Sequence, residues 1–247
     1  MTHGEVNEGC GRGVSGSRPH AADAFPRELF EQGPARPPAL SFAVARNDGL
    51  VWTAACGKSN LEFNVPAMPD HLFRLGSVSK VITTTAAAKL VTKGVLALDA
   101  PISTWLPDLP EPHRATTLRQ LLSHQGGVRH YLAKDFDIAA PGGAIYMRHY
   151  PTRRDILALF IEDALVAPPG TSVSYSSYGY TLASIVMEAA AGQPFLDVIQ
   201  HEIALPFALP SLLEDDPLAI QPLRASGYMF EFDRNIFFDQ SIADRLL

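Results

Sequence analysis

Ser77 and Lys80 stand three residues apart in Gly76-Ser77-Val78-Ser79-Lys80, at the head of a long Ala/Thr/Val-rich run. On a helix this spacing puts a hydroxyl and an amine on one face, about 5–6 Å apart at Cβ. A nucleophile and a base then share a single turn. A serine at a helix start also lies where unsatisfied N–H groups and the helix dipole favour negative charge, as on an attacked carbonyl oxygen. The pair points to acyl transfer through a covalent serine intermediate.

A second stretch, Pro168-Pro169-Gly170-Thr171-Ser172-Val173-Ser174-Tyr175-Ser176-Ser177-Tyr178, leads into an apolar run. A tyrosine on such a constrained loop is aimed with little freedom lost. Near a lysine ammonium its phenol pKa falls, which suits a proton shuttle to and from a serine. Tyr175 is therefore the third candidate beside Ser77 and Lys80.

The elements that must position these groups follow from pattern. Phe73-Arg74-Leu75-Gly76 reads as a strand or loop feeding a tight turn, since glycine admits backbone angles other residues avoid. Val81, Ile82, Ala86, Ala87, Leu90 and Val91 fall near helical spacing, with Gly94 as a stop, so Ser77–Lys93 is expected to be a helix. Leu40 to Arg46 and Leu50 to Cys56 are β-favouring runs joined by Asn47-Asp48-Gly49, a hairpin signal. Thr117 to Ser123 reads as a helix capped by Thr116 or Thr117, and another opens at Thr152 and runs to about Ala164. Tyr178 to Ala191 and Phe195 to Ile203 follow as helices, and Tyr228 to Phe238 offers a further hairpin. Ala21 to Gln32 reads as a short helix, Asn60 to Asp70 as a loop, and residues 1–20 as a flexible tail.

At 247 residues with 47% hydrophobic and 19% charged side chains, the chain has ample material for a core. Net charge is −6, and no basic stripe or block suggests nucleic acid or an anionic membrane surface. No stretch approaches the eighteen or so apolar residues of a membrane span, and the N-terminus lacks the apolar core of a secretory signal. A cytoplasmic location is the default expectation. Cys10 and Cys56 could pair, but Cys56 sits in an apolar run and reads as a buried small hydrophobe. Gly57-Lys58-Ser59 resembles a phosphate loop, but Trp52 stands where the loop needs glycine. His201-Glu202 has Leu205 where a zinc helix needs histidine. Gly13-Val14-Ser15-Gly16-Ser17 misses the nucleophile elbow at its last position. No metal or organic cofactor is implied.

The order of three blocks resembles the serine β-lactamase-related proteins: class C β-lactamases, low-molecular-weight penicillin-binding proteins, esterases and D-aminopeptidases. Within that group the likeness is greatest to mitochondrial-type serine β-lactamase-like proteins. The blocks are Leu72 to Lys80, Leu118-Arg119-Gln120-Leu121-Leu122-Ser123-His124-Gln125-Gly126-Gly127-Val128-Arg129-His130-Tyr131, and Pro169 to Leu182. The resemblance covers roughly Leu40 to Tyr228. It implies that Ser77 is acylated, that Lys80 helps deprotonate it, and that Tyr175 shares the base role. It also implies that the Ser77 N–H forms one side of an oxyanion hole. His124 and the glycines after it match a block read as structural. The implied fold is α/β (α+β), β-lactamase/transpeptidase-like: an antiparallel sheet flanked by helices, plus an all-helical lobe at about residues 100–165. Ser77, Lys80 and Tyr175 would meet at the junction between the lobes. The implied partner is a small-molecule or peptide substrate.

Two departures stand out. The family usually has asparagine two positions after the tyrosine; here Ser177 takes that substrate-binding position, with a shorter, single-headed group. A Lys/His-Thr/Ser-Gly element, which supplies the other oxyanion N–H and binds the substrate carboxylate, has no match after Tyr175. The expectation is therefore a domain, residues 21–247, truncated towards its C-terminus, with apolar sheet surface uncovered and prone to self-association. Two functions follow: a serine hydrolase acting on an amide, peptide, ester or β-lactam bond, or a catalytically impaired member serving as a binding or scaffold protein. Loss of one oxyanion donor typically lowers turnover about 10²–10³-fold.

Overall fold

The structure, a computed structural model, describes residues 11–13, 37–47, 49–137, 139–140, 143, 145, 150–216, 219–231 and 236–239. The helix expected over Ala21 to Gln32, and most of the expected tail, lie outside these residues. Contacts divide the chain into two compact units, one made of the residues up to Arg74 and those from Asp215, the other Leu75–Glu214.

The first unit is built on the hairpin. β1 (Gly11–Gly13) and β2 (Ala39–Arg46) both pair antiparallel with β3 (Gly49–Asn60), giving the order β1-β3-β2, and β4 (Val65–Pro66) pairs with the end of β3. Asn47, at φ +54°, supplies the left-handed residue of the hairpin turn. β4 lies within the stretch expected to be a loop. Thr53 to Cys56 are buried, while Val44, Leu50 and Val51 near the hairpin tip are about half exposed, at 47%, 50% and 51%. Cys56 takes part in a disulfide and is not the free thiol expected of a small hydrophobe; Cys10, the other cysteine of the chain, lies outside the described residues. The expected late hairpin forms as β5 (Tyr228–Glu231) against β6 (Ile236–Asp239). In the same unit Leu72 N–H bonds to the Leu223 carbonyl at 2.8 Å, and the Leu72 carbonyl accepts the Ala225 N–H at 2.9 Å.

The second unit is helical. A 3₁₀ turn at Gly76–Val78 leads into α1 (Ser79–Thr92). Then come α2 (Glu111–Arg114), α3 (Leu118–Leu122), α4 (Ala133–Phe136), α5 (Arg153–Leu157), α6 (Ser177–Ala191) and α7 (Phe195–Ile199), which runs into a π-helical turn at Gln200–Ala204. Thr83, Ala86, Ala87 and Leu90 recur at helical spacing and form the buried stripe of α1. Leu182, Ala183, Val186 and Met187 of α6 join this core with Leu118, Leu121 and Phe160. α6 starts at Ser176, whose hydroxyl accepts the Gly179 N–H at 2.8 Å, and stops at left-handed Gly192.

One helix is shorter than expected. α5 ends at Leu157 instead of about Ala164, because the chain continues in tighter turns, with Leu159 N–H bonded to Ile156 and Phe160 N–H to Leu157. Those turns bury Phe160 and turn Asp163 to Arg129 at 2.6 Å. Among the described residues, no single helix is long and apolar enough to cross a membrane.

Candidate active site

Ser77 lies in the 3₁₀ turn, one residue after Gly76 at φ +51°, a left-handed angle suited to glycine. Its N–H belongs to a first turn, where N–H groups have no intrahelical carbonyl to meet. Lys80 follows in the first turn of α1 and donates from Nζ to Ser77 Oγ at 3.2 Å. The same ammonium donates to Ser177 Oγ, also at 3.2 Å, and lies 5.0 Å from the centre of the Tyr175 ring. Tyr175 Oη donates to Ser77 Oγ at 2.8 Å. Lys80 and Tyr175 thus converge on the Ser77 hydroxyl oxygen, and Ser177 joins the group through Lys80.

The block Ser123 to Tyr131 determines where Tyr175 points. α3 begins in a capping box, with Thr117 Oγ1 accepting from Gln120 N–H and Gln120 Oε1 from Thr117 N–H. After α3 the chain turns through His124 at φ +60° and then runs beside the segment before α6. Ser174 N–H bonds to the His124 carbonyl at 2.8 Å, Gly170 N–H to Gln125 at 2.8 Å, and Val166 N–H to Gly127 at 2.8 Å. Gly127 is required here: at φ +71°, a Cβ would stand 2.1 Å from the Ala167 carbonyl oxygen.

Two imidazoles complete the clamp. His124 Nδ1 accepts the Ser176 N–H at 3.1 Å, and His130 Nδ1 accepts the Ser177 N–H at 3.2 Å. Their rings flank the Tyr175 ring, with centres 4.4 Å and 5.3 Å away. Behind them, Arg129 is 6% exposed and forms a two-pronged pair with Asp135, 5% exposed, at 2.7 and 3.2 Å. Arg129 also bonds to the His130 and Leu159 carbonyls, and its own carbonyl accepts from Ser176 Oγ at 2.7 Å.

Electrostatics follow from this packing. The Lys80 ammonium, then the hydrogen bond to Ser77, holds the Tyr175 phenol below its ordinary pKa. Burial, then the Lys80 charge, lowers both His124 and His130, so each imidazole favours its neutral form. With Nδ1 accepting an amide proton, the neutral tautomer carries its hydrogen on Nε2.

A cavity of about 450 Å³ opens at this point, lined by Ser77 and Lys80, by Ser177, Thr181 and Ser184 of α6, and by Tyr131 and Phe195. Its polar lining is largely hydroxyl groups, with Lys80 as a cation. Among the described residues, no group of three or more His, Cys, Asp or Glu could hold a metal ion.

Ser77, Lys80, Tyr175 and Ser177 therefore meet, and all four belong to the unit Leu75–Glu214. Sequence reasoning did not single out His130 or Tyr180. Tyr180 Oη donates to the Leu122 carbonyl at 2.7 Å and its ring lies 5.6 Å from Lys80 Nζ. For His130 the signal was its place six residues after His124, in the segment whose backbone bonds steer the tyrosine.

Residues 26–236 match the family model described as Beta-lactamase. The chain belongs to this family. Among similar curated proteins, human "Serine beta-lactamase-like protein LACTB, mitochondrial" is 28% identical over 225 residues, covering 66% of this chain and 41% of the relative. "Esterase EstB" of Burkholderia gladioli is 31% identical over 176 residues, covering 67% of this chain and 44% of the relative. The chain spans less than half the length of these two beta-lactamase family relatives. Among solved structures, the D-amino acid amidase from Ochrobactrum anthropi SV3 complexed with D-phenylalanine is 25% identical. It superposes with a TM-score of 0.67 over 86% of this chain and 58% of that one. The helices and antiparallel sheet of this chain thus follow the fold of that solved structure over the aligned part.

Proposed function

We propose that this chain is the nucleophile-bearing part of a serine hydrolase, acting through an acyl-serine on an ester, amide, peptide or β-lactam carbonyl. One observation carries the reading: Ser77 Oγ accepts from Tyr175 Oη at 2.8 Å and from Lys80 Nζ at 3.2 Å. Esterase and amidase among the related proteins support the carbonyl substrate class.

In this reading Tyr175, with its depressed pKa, takes up the Ser77 proton across the 2.8 Å contact in its phenolate form. The Ser77 oxygen forms a bond to the carbonyl carbon, and the developing oxyanion meets the Ser77 N–H. Lys80 stabilises the phenolate and relays the proton towards the leaving group as its bond to the acyl carbon breaks. Ser177, held by Lys80 at 3.2 Å, contacts the substrate beside the scissile bond. A water then takes the place of the leaving group, gives its proton to Tyr175 and bonds to the acyl carbon; the Ser77–acyl bond breaks, Ser77 Oγ takes the proton back and the acid leaves.

The test is pre-steady-state hydrolysis of a p-nitrophenyl ester. A burst of p-nitrophenol equal to the protein concentration, abolished in Ser77→Ala, supports the hydrolase. A folded sample without a burst favours the alternative, an impaired member that binds and does not turn over.

A further inference from the structure

The geometry points to His130 as a positioning residue for the Ser77 reaction, acting through Tyr175 and Ser177; this inference rests on the serine-acylation reading above. Three contacts carry it. Its Nδ1 accepts the Ser177 N–H at 3.2 Å, its ring stands perpendicular to that of Tyr175 with centres 5.3 Å apart, and it packs against the Tyr131 ring at 4.7 Å. The imidazole therefore holds the backbone of the residue that shares Lys80, and also one side of the phenol that meets Ser77. His124 does the equivalent for Ser176 and the other side of the ring. A tyrosine that is 47% exposed would otherwise sample several rotamers, and its alignment with Ser77 would be lost part of the time.

The device works only with a neutral ring. On protonation both nitrogens become donors, so Nδ1 opposes the Ser177 N–H and the contact breaks. The groups facing His130 are Lys80 from α1, Tyr175 from the segment before α6, and His124, Arg129 and Tyr131 on its own loop. The Lys80 charge opposes a second cation there, in line with the downward shift of His130. Arg129 touches only its carbonyl and is neutralised by Asp135 and Asp163. Acid should therefore disarm the site by releasing Ser177 and the Tyr175 ring, leaving Ser77 and Lys80 in place.

His130→Asn and His130→Phe separate this role from bulk packing. Asparagine Oδ1 reproduces the acceptor without titrating, and phenylalanine keeps a ring but no acceptor. At neutral pH, the acylation rate with a p-nitrophenyl ester should fall about 5–10-fold in His130→Phe, the size of one uncharged hydrogen bond. In His130→Asn it should stay within about threefold of the wild type. The part of the acidic fall-off due to imidazole protonation should begin at lower pH in His130→Asn, because of the two imidazoles only His124 remains to be protonated. A second readout does not need turnover: ultraviolet titration of Tyr175, taken as the difference from Tyr175→Phe. The phenol should move up towards its ordinary value in His130→Phe and keep its depressed value in His130→Asn. Equal acylation in His130→Phe and wild type, an unshifted acid limb in His130→Asn, or identical phenol titrations would overturn the inference. If the wild type shows no burst at any pH, the hydrolase reading fails on its own, and the titration still decides the role of His130.

Discussion

Tyr175→Phe removes a single oxygen from the centre of the proposed mechanism. The ring should stay where it is, because its two imidazole neighbours, 4.4 and 5.3 Å away, contact carbon rather than the hydroxyl. The residue is 47% exposed, so folding stability should change by no more than about 0.5 kcal/mol. What is lost is the 2.8 Å bond to Ser77 Oγ and the group that takes its proton. General-base assistance contributes about 10²–10⁴-fold. Lys80 still reaches Ser77 at 3.2 Å, so the lower part of that range applies: about 10²–10³-fold, or roughly 3–4 kcal/mol in the barrier. Stopped-flow measurement of the p-nitrophenol burst gives the acylation rate directly, and a thermal melt on the same sample checks the fold. The wild-type rate should rise with pH as the depressed phenol ionises, and the variant should lose that rise. A variant that melts normally and acylates within about threefold of the wild type would refute the reasoning.

Other outcomes follow from the scaffold. Arg129→Met leaves Asp135 buried without its cation. It should cost about 3–5 kcal/mol, a drop of roughly 6–20 °C in Tm by calorimetry for a chain of this size. An unchanged melt would show that the pair contributes nothing. Gly127→Ala puts a methyl against the Ala167 carbonyl at a left-handed angle, so it should lower Tm and the burst together; a neutral result would contradict the close approach. His113, His124 and His130 all have folded pKa values below the ordinary 6.5, so the unfolded chain binds more protons. The stability they contribute is present above about pH 6.5 and is lost as pH falls through the folded values. Asp135, whose pKa is also lowered, holds its share until pH drops below the ordinary carboxylate range near 3.8. A Tm that stays flat between pH 8 and 5 would contradict the histidine part.

The local chemistry was readable because it depends on short spacing and on turn residues. Ser77 and Lys80 fall on one turn, Gly76 takes the positive angle expected of it, and Thr117 caps α3 as its type suggests. The hairpin was equally legible, since Asn47-Asp48-Gly49 separates two β-favouring runs; β3 simply continues past Cys56 to Asn60. The length of α5 was not legible, because the apolar run after Leu157 satisfies helix and tight-turn patterns alike. Burial of Phe160 and the pull of Arg129 on Asp163 decide between them, and both are tertiary. His130 was hidden for a related reason. Its importance lies in accepting an N–H from a residue 47 positions away, which no spacing along the chain encodes. Cys56 shows the same limit, since an apolar neighbourhood does not distinguish a buried thiol from a disulfide.

The central claim is that Ser77 becomes acylated. Incubation with a p-nitrophenyl ester, acid quench, digestion and mass spectrometry of the peptides test it most directly. The account predicts one acyl group per chain, on the peptide containing Ser77, absent in Ser77→Ala and strongly slowed in Tyr175→Phe. A properly folded wild type without that adduct, or an adduct that survives in Ser77→Ala, would contradict it.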